Sequence, residues 1–153
     1  MSKSFSAIVS AWAAQSEKRL EQTYRRSVEL LADEMRETKP NGGRLPFQTG
    51  NLVRSLMAST QGMPQGAEGA AVFLKDQDVG AVTASLELGQ PIWIGYQAIY
   101  ARRQNYGFVG ADSLGRVYNQ AGSYFVEGAI ANWQQIVAKA AAELQSAVEA
   151  KSK

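Results

Sequence analysis

The residue types best suited to recognition gather in IYARRQNYGF, residues 99–108, where Arg102 and Arg103 lie among Tyr100, Tyr106 and Phe108. Arginine presents five N–H donors in a rigid fork, and an aromatic ring presents a flat face. Such a segment can hold phosphates, stack on bases or anchor a protein contact. Arg44 and Phe47 in an earlier loop, and Arg116 and Tyr118 in a later one, repeat the same types. Three readings are open. Residues 99–106 form a short helix whose last turns hold the arginines at its negative end and whose stop is Gly107. Alternatively, Arg102 and Arg103, with Arg44 and Arg116, grip a nucleic acid. Or the segment is a protein–protein contact.

Catalytic chemistry has little to rest on. The chain contains neither histidine nor cysteine, which removes the commonest general base, the commonest metal ligand and all thiol chemistry. An enzyme would depend on carboxylates, serine, lysine or tyrosine. Glu68, Asp76, Asp78, Glu87, Asp112 and Glu127 show no motif spacing, and no GxSxG elbow is present. The glycines of KPNGGRLPFQTG, residues 39–50, are followed by no Gly-Lys-Ser/Thr, so they do not make a phosphate loop. Asp76-Gln77-Asp78 lacks the rest of a calcium loop and reads as a hairpin turn. The expectation is a non-enzyme without cofactor or metal. At 153 residues and net charge +2, a single domain spanning 1–153 with interspersed charge is expected. That charge permits an anionic partner without demanding one. No signal-peptide pattern or run of about 20 apolar residues occurs, so no membrane association is expected.

The elements that position these residues follow from periodicity. Phe5, Ile8, Val9, Trp12, Leu20, Tyr24, Val28, Leu31 and Met35 recur at helical spacing, predicting one long helix over 4–38 with Ser4 as N-cap. Glu21–Arg25 and Arg26–Glu29 decorate its outer face. The helix is longer than a small core needs, so part of its stripe is expected to face a neighbouring subunit. Thr49 caps a short helix, NLVRSLMA. AAVFLK (70–75), VTASLEL (82–88) and IWIGY (92–96) read as strands of an antiparallel meander. Residues 107–122 hold four glycines and read as a long loop. Residues 123–150 form a second long helix capped by Ser123, with Phe125, Ile130, Trp133, Val137, Leu144 and Val148 on its stripe. The fold class is α+β: long N- and C-terminal helices on a small antiparallel sheet of three to four strands, with long flexible loops.

Three segments in order resemble the tail-completion proteins of long-tailed bacteriophages, a family of neck, head–tail joining and minor tail proteins. Thr49-Gly50-Asn51-Leu52-Val53-Arg54-Ser55-Leu56 is similar to the family's Thr-Gly-x-Leu-x-x-Ser segment. Tyr100-Ala101 followed by Tyr106-Gly107 is similar to its Tyr-Ala…aromatic-Gly segment. Gly122-Ser123-Tyr124-Phe125-Val126 resembles the junction that opens its last helix. The resemblance covers roughly residues 5–148. It departs at Asn105, where the family often carries an acid. It implies a non-enzymatic virion component of the neck or tail, found in the host cytoplasm during assembly. Such a protein forms a ring, typically sixfold, between the head connector and the tail tube or tail terminator, and is often monomeric when free. DNA passes through as cargo. A tail terminator or other minor tail protein, and a nucleic-acid-binding accessory protein using Arg102 and Arg103, are the alternatives. The interface candidates are Arg44, Phe47, Arg102, Arg103, Phe108, Arg116 and Tyr118, with loops 39–50 and 107–122 as docking elements.

Overall fold

The computed structural model describes residues 4–65 and 72–152. Helix α1, Phe5–Arg36, begins where the Ser4 hydroxyl accepts the Ala7 N–H. The expected Glu21–Arg25 and Arg26–Glu29 pairs form on its surface at 2.8 and 3.1 Å. After α1 the chain makes one 3-10 turn over Lys39–Asn41 and reverses at Gly42, whose φ is +94°.

The short helix predicted over 51–58 stops early. Helix α2 covers only Asn51–Arg54, and its N-cap is Gly50 rather than Thr49. Ser55 is fully buried, and its hydroxyl donates back to Leu52 O at 2.8 Å. That back-bond ends the helix and frees Leu56–Ser59 to form strand β1, antiparallel to β2, Trp93–Tyr96. Strand β2 is the IWIGY strand expected from composition.

Two other strand expectations fail. Residues 70–71 lie outside the described residues, and Val72–Lys75 is irregular. Phe73 is nevertheless buried, with its N–H on Asn51 Oδ1 at 2.6 Å. The segment read as strand 82–88 overlaps helix α3, Val79–Ala84. Its buried residues are Val79 and Thr83, an i, i+4 pair on one helix face, and Leu86 just beyond its end is also fully buried. Thr83, assigned by alternation to the solvent face, is fully buried because its hydroxyl bonds Gly80 O and Glu29 Oε1, at 3.0 and 3.1 Å. Asp78 caps α3 by accepting the Ala81 N–H, so the Asp-Gln-Asp triplet starts a helix rather than turning a hairpin.

Helix α4, Ala101–Tyr106, forms within the segment expected to be helical and stops at Gly107, φ +85°. The glycine-rich stretch beyond it is not a loop. Strand β3, Gly107–Ala111, pairs antiparallel with β4, Val117–Ala121. The two strands turn through Asp112–Gly115, where the Gly115 N–H bonds Asp112 O and φ is +76°. The last helix is broken. Helix α5, Phe125–Ala131, is entered through Tyr124 in the left-handed region rather than capped by Ser123. Asn132 interrupts it and donates its side-chain amide to Glu34 of α1, and α6 runs from Trp133 to Lys151.

The fold is α+β, with long terminal helices and, among the described residues, four short strands in two separate antiparallel pairs. Helices α1 and α6 pack antiparallel through Leu30, Ile136 and Ala140, flanked by an Arg26–Glu143 pair at 2.7 Å. Ala32 and Met35 of α1 cover Leu56 and Val79. A third cluster joins Leu45, Leu52, Phe73, Ala98, Ala101 and Phe125. Among the described residues, no helix is long and apolar enough to cross a membrane.

Candidate docking site at the second hairpin

The arginine–aromatic segment is built around α4. Ala101 and Asn105 are its buried positions. Arg102 and Arg103, adjacent in sequence, therefore diverge around the helix. Arg102 lines an apolar groove with Met35, Met63, Ile94 and Tyr106. Arg103 turns the other way and lies 4.2 Å over the Phe108 ring on β3. Such a cation–π contact contributes about 0.5–1 kcal/mol at an exposed position.

From Phe108 the contacts run on across the hairpin. Phe108 faces Gln120, and Gly110 faces Tyr118, so Phe108 and Tyr118 are diagonal neighbours on one face. Their ring centroids are 6.1 Å apart. The Tyr118 hydroxyl donates to Asp112 Oδ2 at 3.2 Å, and Arg116 Nε donates to the same oxygen at 2.6 Å. Asp112 Oδ1 accepts the backbone N–H groups of Leu114 and Arg116, both at 2.9 Å. Desolvation pushes the Asp112 carboxyl up, but these hydrogen bonds, Arg116's first among them, outweigh it and hold the group below its ordinary value. Four of the seven interface candidates, Arg103, Phe108, Arg116 and Tyr118, are thus brought together. Asp112, the hub that joins two of them, was missed. Its signal was present in sequence as Asp112-Ser-Leu-Gly115, the pattern of an Asx-type turn with glycine in the left-handed position.

The other candidates lie elsewhere. Arg44 places its guanidinium against Gly128 of α5, where even a Cβ would meet Nε at 2.5 Å. Phe47 walls a cleft of about 390 Å³ together with Pro46, Thr49, Asn51, Tyr100 and Gln104. The cationic surface that a nucleic-acid grip would want is therefore divided, and Arg116 is already paired with Asp112.

The opposite face of the hairpin is open and, apart from Asn119, apolar. Val109, Val117 and Leu114 at the turn are 77 %, 83 % and 76 % exposed. An outward apolar face on a two-stranded ribbon is a surface suited to a partner. The ribbon is anchored at its base by Gln120 Nε2 on Gln104 Oε1, at 2.9 Å. Gly107 and Gly122 also make a close backbone approach there: a Cβ on Gly107 would lie 2.5 Å from Gln120 O.

Asn105, the position that departs from the expected acid, is buried where α4 meets α5. Its Oδ1 accepts the Val126 N–H at 3.2 Å, and its Nδ2 donates to Glu127 Oε2 at 2.7 Å. Desolvation pushes the Glu127 carboxyl up, but hydrogen bonds from Tyr106 and Asn105 prevail and hold it below its ordinary value of 4.5. The Tyr106 hydroxyl is raised in turn by its hydrogen bond to Glu127. The acid of this junction therefore sits at 127, and the amide at 105 complements it.

Among the described residues, no cluster of three or more acidic residues is placed to hold a metal ion. Comparison with protein-family models, with curated proteins and with solved structures finds no match.

Proposed function

We propose that this chain is a structural virion protein of a tailed phage or prophage, completing the tail end and joining it to the head connector as a ring. The observation that carries the reading is the convergence of the three segments that resemble tail-completion proteins. Leu52 of the first, Ala101 of the second and Phe125 of the third share one core cluster. Asn51 Nδ2 donates to the Tyr100 hydroxyl at 2.8 Å, joining the first segment to the second. The N–H groups of Ser123 and Tyr124 bond Gln104 O and Asn105 O, at 3.0 and 2.9 Å, joining the second to the third. The resemblance thus rests on one spatial unit rather than on scattered turn residues.

That unit carries the β3–β4 hairpin, whose apolar face and the opposite face with Arg103, Phe108 and Tyr118 are its docking surfaces. The mechanism is geometric: the hairpin inserts against a neighbouring ring component, and DNA passes through the lumen as cargo. Deleting the gene leaves filled heads and separate tails in the lysate under the electron microscope. Intact infectious virions after deletion would end the proposal.

A further inference from the structure

The face of α1 that α6 covers does not stop where α6 stops. Stepping by three or four residues from Leu30 and Arg26, which meet α6, the same face passes through Thr23, Arg19 and Ser16. It continues to Trp12, Val9, Ile8 and Phe5. The last turns of α6, around Val148 and Glu149, reach only the level of Arg19. Every residue from Ser4 to Gln15 is exposed. Phe5, Ile8, Val9 and Trp12 are 82 %, 54 %, 45 % and 68 % exposed, and they form one stripe on about 18 Å of otherwise bare helix.

We infer that this stripe is a two-fold contact between copies of the chain, with the N-terminal thirds of two α1 helices packed antiparallel. The helix already shows what suits this face, since α6 covers its continuation as an antiparallel helix with Ile136 and Ala140 inward. A second copy supplies an apolar helix of the same uncovered length. A two-fold contact packs the stripe on its own copy, so a stripe of one charge would repel itself. Residues 4–16 contain no ionisable side chain, and the charges that bracket them in sequence are Lys3 and Glu17. The stripe is centred between Ile8 and Val9. Antiparallel pairing about that point sets Phe5 of each copy beside Trp12 of the other. Each copy's Ser4 then lies near residue 13, short of the end of α6.

The area sets the strength. Phe and Trp contribute about 150–250 Å² each when fully covered, and with Ile8 and Val9 the contact reaches about 400–500 Å² per copy. A standard stable interface buries about 800 Å² per partner, so the dimer is weak and concentration-dependent. A two-fold contact closes on itself and does not build a ring. It belongs to the free protein and stands whether or not the virion role does.

Sedimentation equilibrium on the full chain tests it. A reversible monomer–dimer equilibrium is expected, weakened at least about thirty-fold by Trp12→Glu, with circular dichroism showing that the variant keeps its fold. The chain has no cysteine, so single cysteines report register. Val9→Cys, beside the axis, forms a disulfide-linked dimer on mild oxidation, and Phe5→Cys, far from it, does not. A monomer at all concentrations overturns the inference, and co-sedimentation of that monomer with phosphatidylcholine vesicles would assign the stripe to lipid. A dimer indifferent to Trp12→Glu, or one cross-linked at position 5 and not at 9, overturns it as well.

Discussion

Asn105→Asp places an acid where the resemblance expects one, and the structure gives a reason to expect it to destabilise this chain. Asn105 Nδ2 lies 2.7 Å from Glu127 Oε2. The substitution keeps the acceptor for the Val126 N–H but replaces the donor with a second carboxylate. One charge-assisted hydrogen bond is lost, and two like charges then share a site that only one can occupy cheaply. Solvent reaching Glu127 trims the repulsion, leaving a cost of about 2–3 kcal/mol at pH 7. For a domain of this size that lowers the melting temperature by about 5–10 °C.

The pH dependence separates this account from a generic packing defect. In the native chain Glu127 sits below its ordinary 4.5. Its stabilisation is present above that value and fades as pH falls through the lower, folded one. In the variant one carboxyl of the pair is raised above its unfolded value. The variant's deficit is therefore full above the raised value and shrinks as pH falls toward the unfolded one. Between pH 7 and pH 5 the melting curves of the two proteins, followed by circular dichroism, converge. Adding Glu127→Gln restores a donor–acceptor pair with its polarity reversed and recovers most of the loss at pH 7. An Asn105→Asp variant that melts with the native protein at pH 7, or a double variant no better than the single, refutes the reasoning.

Other outcomes follow from particular contacts. Asp78→Ala removes the cap of α3 and costs about 1 kcal/mol, whereas Leu86→Ala, at a fully buried position, costs about 2–5 kcal/mol; urea unfolding measures both, and a solvent-facing Leu86 would show neither order nor size. Asp112→Ala speeds amide exchange across Asp112–Tyr118 by NMR while leaving α1 protected, and unchanged hairpin exchange would show that Asp112 does not organise the turn. The carboxyl of Asp112 titrates by NMR with a midpoint below 3.8, and one at or above that value contradicts its hydrogen-bond set. Arg102→Ala/Arg103→Ala leaves duplex-DNA retention at low salt unchanged and weak; a steep salt-dependent loss of binding would favour the nucleic-acid alternative.

What the sequence revealed depended on whether an element has a buried face. The packed part of α1 reads clearly because Val28, Leu31 and Met35 keep helical spacing over several turns, and α4 reads clearly because Gly107 ends it. Strand β2 was legible from its β-branched and aromatic residues. Helix α3 was misread because its inward stripe includes Thr83, whose burial depends on Glu29 in α1, 54 residues away in sequence. The β3–β4 hairpin was misread as a loop because its alternation is inverted. Val109 and Val117 point outward, while Gly110 and Gln120 lie on the more covered face, so neither face carries a core pattern. Four of the interface candidates meet there because Arg103 crosses from α4 onto Phe108. Arg44 and Phe47 did not join them, since nothing in a one-dimensional reading says which side of α4 the loop at 39–50 will pass.

We propose that the β3–β4 hairpin carries the joining of tail to head. The most direct measurement is complementation in vitro: purified protein is added to a gene-deletion lysate holding separate heads and tails, and infectious particles are counted. The native chain is expected to restore the plaque titre. A Val109→Glu/Val117→Glu chain, folded by circular dichroism, is expected not to. No restoration by the native chain, or full restoration by the hairpin variant, would contradict it.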